Sequence, residues 1–196
     1  MATGFVVAGG LSRRMGRYKA LLAWGGTSLL DHTLDRLRAV TDEVRILSGP
    51  EERYTDRGVP VHADVRADAG SLGGVHTGLL QLERPYGLFL GVDLPLVPAA
   101  LLNHLLELAH CYDAVVPVTP AGPEPLCAAY ARSCRRPIER RMAAGELKMT
   151  SFWPDVRVRE VAPAELLAFG DPAELFRNVN TTEDYEEVRS SRLKGP

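Results

Sequence analysis

Long apolar runs are missing from this chain. No stretch approaches the length of a membrane span, and the amino terminus lacks the charged-then-apolar pattern of an export signal. Cysteine is scarce: Cys111, Cys127 and Cys134 form no C-x-x-C pair and leave an odd count. That excludes a zinc ribbon and a disulfide scaffold, and points to free thiols in the cytoplasm. Neither sign of charge is in excess. A formal net charge of −2 excludes the broad basic surface that drives non-specific nucleic-acid binding. The five histidines have no metal-ligand spacing, and no Ser-His-Asp or paired-carboxylate constellation stands out. Internal repeats, low-complexity tracts and linkers are absent too, so residues 1–196 read as one domain with a substantial core. Basic residues do gather locally, at Arg13-Arg14-Arg17-Lys19 and Arg135-Arg136 with Arg140-Arg141. Local clusters on a near-neutral protein suit a compact anionic ligand better than a polymer or a membrane.

What is present is concentrated at the start. Phe5 to Ala8 is a short apolar run that reads as a buried strand, breaking at Gly9-Gly10 into a loop with Ser12, Arg13, Arg14, Arg17 and Lys19. Adjacent glycines allow a turn with φ > 0 and a close backbone approach to a ligand. Unpaired N–H groups in such a loop form an anion-binding concavity, and the cations add charge for a polyphosphate. The loop is nevertheless not a Walker loop, since no G-x-x-x-x-G-K-[ST] is present. Nor does a G-x-G-x-x-G follow the strand.

Strand and helix signals then alternate. Leu30, Leu34 and Leu37 repeat at helical spacing behind a Thr27-Ser28 cap. Strands are expected at 43–48, 59–63, 87–92, 114–118, 126–130 and 156–161, and helices at 74–81, 99–108, 135–144 and 163–168. Pro120 to Pro125 reads as a rigid turn. This β-α alternation predicts a three-layer α/β/α fold around a mostly parallel, Rossmann-like sheet. In open parallel sheets ligands sit beyond the carboxyl ends of the strands. Gly9-Gly10, Ser48, Asp64 and Asp93 all fall at such ends.

The string from Val7 to Leu22 resembles the signature loop of the MobA-like nucleotidyltransferases, L-A-G-G-x-S-x-R-M-G-x-D-K-A-L-L. Three later segments resemble that family in order and spacing: Asp68 to Gly74 its G-P-L-G-G turn, Val92-Asp93-Leu94-Pro95 its D-x-P strand end, and Phe176 to Asp184 its F-x-N-x-N-T-P-E-D. Ser71 and Thr182 replace two prolines, and Tyr18 stands where the family string has Asp. The resemblance spans nearly the whole chain. It implies a sheet of the nucleotide-diphospho-sugar transferase type, with a nucleotide-binding amino-terminal half and a pterin-binding, sheet-completing remainder. The implied reaction is Mg²⁺-dependent transfer of GMP from GTP to molybdopterin, releasing pyrophosphate. It further implies partners among cofactor-biosynthesis or molybdoenzyme-delivery proteins. Relatives that use CTP or a sugar phosphate, and a non-catalytic GTP-binding module, are the alternatives.

The resemblance also distributes roles. Asp93 would hold Mg²⁺, while Lys19 and Arg14 would meet the phosphates as the catalytic cations. Val7, Ala8, Gly9 and Gly10 would present backbone groups to base and phosphates, and Ser12 a hydroxyl. Ser48 would face the base, Asp64 the donor edge of guanine, and Gly73 would belong to a second phosphate-approaching turn. Asn178 and Asn180, two apart in an extended segment, would converge on the pterin.

Overall fold

The computed structural model describes residues 1–9, 18–179, 184 and 186–188. Strand β1 (Ala2–Val7) puts Phe5 on one face of the sheet and Val6 on the other, both fully buried. It lies between β4 (Glu43–Leu47) and β6 (Tyr86–Gly91), parallel to both. Between β1 and β4 come a small hairpin, β2 (Ala23–Trp24) with β3 (Thr27–Ser28), and helix α1 (Leu29–Arg38). Ser28 caps α1 by accepting the Asp31 N–H at 3.1 Å, as the Thr-Ser signal predicts. Strand β5 (Val61–His62) adds parallel to β4 at one edge.

Helix α2 (Gly70–Leu80) starts four residues before the position expected from the sequence. Gly73 and Gly74 had suggested a turn, but both are helical, and Gly73 serves close packing. After β6 come α3 (Ala99–Ala109) and β7 (Ala114–Thr119). The predicted rigid turn contains a two-residue strand, β8 (Gly122–Pro123), antiparallel to β7. Strand β9 (Cys127–Ala131) then inserts antiparallel between β6 and β7. The connection from β7 to β9 is too short for a helical crossover, so this strand must run the other way. Helix α4 (Arg135–Ala143), strand β10 (Val158–Val161) and two single-turn helices, α5 (Pro163–Leu166) and α6 (Pro172–Leu175), follow. The order β10-β7-β9-β6-β1-β4-β5 leaves β6 at the centre.

Two cores sandwich this sheet. On one face Leu30, Leu34 and Leu37 of α1 meet Leu101, Leu102 and Leu105 of α3 over Val6, Leu88 and Leu90. On the other, Leu72, Val75 and Leu79 of α2 meet Ile138 and Met142 of α4 over Phe5 and Phe89. The three-layer α/β/α expectation therefore holds. All three cysteines are free, with Cys127 and Cys134 buried. Among the described residues no helix is long and apolar enough to cross a membrane.

Gly78 shows how tightly α2 sits on the sheet. A Cβ there would lie 2.5 Å from the Phe89 ring, which stacks on Phe5 with centroids 4.8 Å apart and has little room to yield. Alanine would gain about 1 kcal/mol in helix propensity, but overpacking a rigid core costs about 1–3 kcal/mol. Gly78→Ala is therefore expected to destabilise by about 1 kcal/mol. The check is a lower denaturant midpoint at unchanged slope.

Candidate active site at the carboxyl end of the sheet

The loops that follow β1, β4, β5 and β6 converge on one cavity of about 340 Å³. Val7, Gly9, Lys19, Asp64, Gly74 and Asp93 all contribute to its wall. A depression of about 400 Å³ lies at the opposite end of the strands, lined by Thr41, Tyr86 and Leu106. Its carboxylate, Asp42, already accepts the Ala2 N–H at 2.8 Å and is engaged within the fold.

Asp93 leaves the central strand in a turn held from three sides. Leu94 N–H donates to Gly91 C=O, Gly91 N–H donates to Leu126 C=O, and His32 and Arg36 of α1 both donate to Pro95 C=O. His32, without a role in the sequence reading, thus helps to orient the Asp93 turn. Lys19 opens a short helical turn (Lys19–Leu21) and sends its side chain inward, where Nζ lies 3.0 Å from Asp93 Oδ2. Lys19 is only 8% exposed. The ammonium is therefore the counter-ion of Asp93.

Among the described residues no three His, Cys, Asp or Glu side chains cluster as a cage for a metal ion. One carboxylate with open space beside it fits a hard cation such as Mg²⁺, which retains water and takes its other ligands from phosphate oxygens. Asp93 could hold such an ion.

Asp64 follows β5. Its N–H donates to Gly49 C=O at 2.6 Å, while Thr77 of α2 accepts the next N–H, from Val65, at 3.0 Å. So fixed, the carboxyl lies beside Gly74, with Oδ1 buried and lacking a hydrogen-bond partner. Burial raises its pKa from 3.8 to about 6. An unsatisfied acceptor in a cavity wall is suited to a ligand that donates.

Several expected site residues are placed differently. Ser48 is fully buried and donates to Glu51 C=O at 2.7 Å, so its hydroxyl is consumed in shaping the loop. Ala8 points into the α1/α3 core and its N–H is taken by Leu47 C=O at 2.8 Å. Only its neighbours Val7 and Gly9 reach the cavity. Gly9 does not adopt positive φ. A Cβ on it would lie 2.7 Å from Gly49 Cα, so the requirement for glycine is close approach between the loops after β1 and β4. Gly49, at φ 81°, makes the turn instead. Gly73 packs against Arg66 C=O, which a Cβ would approach to 2.3 Å, while Gly70, Ser71 and Gly74 line the cavity. With Gly70 at φ 54°, the first turn of α2 presents its N–H groups there.

Asn178 is exposed and adjoins the site because Val179 N–H donates to Asp93 C=O at 3.0 Å. Gly10, Ser12, Arg14 and Asn180 lie outside the described residues. Glu124, overlooked in the sequence, is half-buried near Asp93, and burial and the Asp93 charge push its carboxyl to about 7. A Glu between two prolines at a strand's carboxyl end was the available signal.

Residues 4–156 match the MobA-like NTP transferase domain. The chain belongs to the MobA-like NTP transferase family. A protein of Pelotomaculum thermopropionicum named "Probable molybdenum cofactor guanylyltransferase" is 36% identical over 96% of this chain and 92% of its own length. The "Molybdenum cofactor guanylyltransferase" of Desulfosudis oleivorans is 30% identical over 98% of this chain and 96% of its own. In fold, this MobA-like chain is similar to the crystal structure of molybdopterin-guanine dinucleotide biosynthesis protein A from Archaeoglobus fulgidus. The TM-score is 0.82 at 24% identity, covering 98% of this chain and all of that one. The fold is thus the nucleotide-diphospho-sugar transferase type.

The Asp64 carboxyl leads to a stability prediction. The folded protein keeps that proton up to about pH 6, whereas the unfolded chain releases it near 3.8. Stability therefore falls as pH rises through this window and stays lowered above it. Asp64→Asn should stabilise the ligand-free protein at pH 8 by on the order of 1 kcal/mol after allowance for solvent screening, with little effect near pH 4. Denaturation of both proteins at the two pH values tests this.

Proposed function

We propose that this MobA-like enzyme transfers GMP from GTP to molybdopterin, giving molybdopterin guanine dinucleotide and pyrophosphate. The observation that carries this reading is the Lys19–Asp93 pair and the unpartnered Asp64 carboxylate in the wall of one cavity. The full-length relatives named as guanylyltransferases support the choice of substrates.

Guanine presents N1–H and its 2-amino group side by side, and a carboxylate accepts from both. Asp64 takes that role, which adenine and cytosine cannot meet with the same edge. The first turn of α2 and the backbone at Gly9 lie against the sugar and phosphates. Lys19 and Arg14 neutralise the phosphate chain, and the Ser12 hydroxyl and Gly10 N–H add hydrogen bonds. Asp93 would hold Mg²⁺, which would supply charge neutralisation at the reacting phosphates. Asn178 and Asn180 meet the pterin beside the Asp93 turn.

The phosphate oxygen of molybdopterin forms a bond to the α-phosphorus of GTP. The bond to the bridging α–β oxygen breaks opposite it, and pyrophosphate leaves with that electron pair. This nucleophile is already anionic at neutral pH, so no general base is required. Catalysis reduces to alignment and charge placement. When the nucleotide phosphates enter, Lys19 would exchange part of its contact with Asp93 for phosphate oxygens, leaving Asp93 as the carboxylate that would hold the metal.

Pyrophosphate release from GTP, ATP, CTP and UTP with molybdopterin and Mg²⁺ tests the reading. GTP is expected to lead by tenfold or more, since facing a buried acceptor with the wrong base edge costs about 1–3 kcal/mol. Comparable turnover with CTP would overturn it. Asp93→Ala should abolish turnover in a chain that still folds, at a lowered thermal midpoint because the buried Lys19 loses its counter-ion. Lys19→Ala should weaken GTP binding by about 1.5–3 kcal/mol through loss of a charged contact. Titration calorimetry reads the second effect, and unchanged affinity would make Lys19 a structural cation only.

A further inference from the structure

The loop after β1 is pinned at both described ends to the loop after β4. At its base Gly9 meets Gly49 with no room for a Cβ on either. At its far end the guanidinium of Arg53 lies over the Tyr18 ring, 4.5 Å from the centroid, and Tyr54 meets the same ring edge-on with centroids 6.5 Å apart. The loop after β4 is itself set firmly. Arg53 pairs with Glu51 at 3.0 Å, and Arg57 pairs with Asp31 of α1 at 3.3 Å. Tyr54 is held at φ 68°, a conformation no other described non-glycine residue adopts and one that persists only where the surroundings enforce it. Tyr18 and Lys19 are consecutive and point opposite ways: the phenol outward into this stack, the ammonium inward to Asp93. The Leu21 N–H to Tyr18 C=O bond, at 2.9 Å, closes the turn that joins them.

We propose that Arg53 is a positioning residue: by stacking on Tyr18 it fixes the backbone from which Lys19 reaches Asp93 and, in turn, the nucleotide. A planar cation over an aromatic face is attractive, more so when water is partly excluded, and the Arg53 side chain is only 13% exposed. The nucleotide arm of this proposal rests on the function proposed above, whereas the positioning of Lys19 does not.

The test reads Lys19 directly. In the full-length protein without ligand, acetylation by N-hydroxysuccinimidyl acetate is followed by mass spectrometry at Lys19, with exposed Lys148 as internal control. Arg53→Ala and Tyr18→Ala are expected to speed Lys19 acetylation about tenfold while Lys148 is unchanged. Tyr18→Phe keeps the slow rate because the ring is retained, and Arg53→Lys, a milder change that guards against a variant that fails to fold, falls between. For nucleotide, Arg53→Ala should raise the Kd for GTP about fivefold to tenfold, and should add nothing on a Lys19→Ala background. Unchanged Lys19 reactivity in the alanine variants overturns the proposal, as does a full loss in Tyr18→Phe. An equal effect of Arg53→Ala with and without Lys19 also overturns it, because Arg53 would then act independently. If the wild type binds no GTP but the acetylation pattern holds, the function proposed above falls and the positioning role stands.

Discussion

The 3.0 Å contact between Lys19 and Asp93 is the point on which the loops at the carboxyl end of the sheet depend. It joins the segment after β1 to the turn after β6, across the centre of the sheet. A lysine this buried is tolerated only with a counter-ion, and a carboxylate leaving an apolar strand needs its turn held. His32 and Arg36 supply that hold through Pro95, and Val179 N–H supplies it through Asp93 C=O. The carboxy-terminal segment is therefore drawn to the same place as the glycine loop.

Around that pair the protein leaves electrostatic needs unmet. Asp64 has a buried oxygen without a partner, and Glu124 is raised to about 7 by burial and the neighbouring Asp93 charge. Both carboxyls lower the stability of the ligand-free fold at neutral pH. Structural carboxylates elsewhere are paired instead: Glu43 is held low chiefly by the Thr3 hydroxyl, and Glu139 by Arg135 and His76. The contrast separates carboxyls whose charge the fold satisfies from carboxyls whose charge it leaves unsatisfied.

The element pattern was legible because each face of the sheet demands a distinct periodicity. Leucines at 30, 34 and 37 announced α1, and the apolar run at 87–92 announced the central strand. The start of α2 was misplaced because Gly70, Gly73 and Gly74 look like turn residues, yet Gly73 is there for contact with Arg66 C=O, as Gly78 within the helix is for contact with the Phe89 ring. Such contacts join distant segments and leave no local trace. The antiparallel setting of β9 was invisible in its own residues and follows only from the short connection out of β7.

By itself the amino-acid sequence determined the three-layer architecture, the strand-end placement of Gly9, Asp64 and Asp93, and the presence of Lys19 among the cations that follow β1. These depend on hydrophobic period and on residue chemistry, which are local properties. Only the tertiary structure decided which of the remaining polar groups are free to act. Ser48 and the Ala8 N–H are consumed by neighbouring carbonyls, Gly9 answers to Gly49, and Glu124 and Arg53 enter the picture through partners far away in the chain. Whether a hydrogen-bonding group is spent on the fold or left for a ligand is set by what the folded chain brings within about 3 Å of it, and that depends on contacts between distant segments.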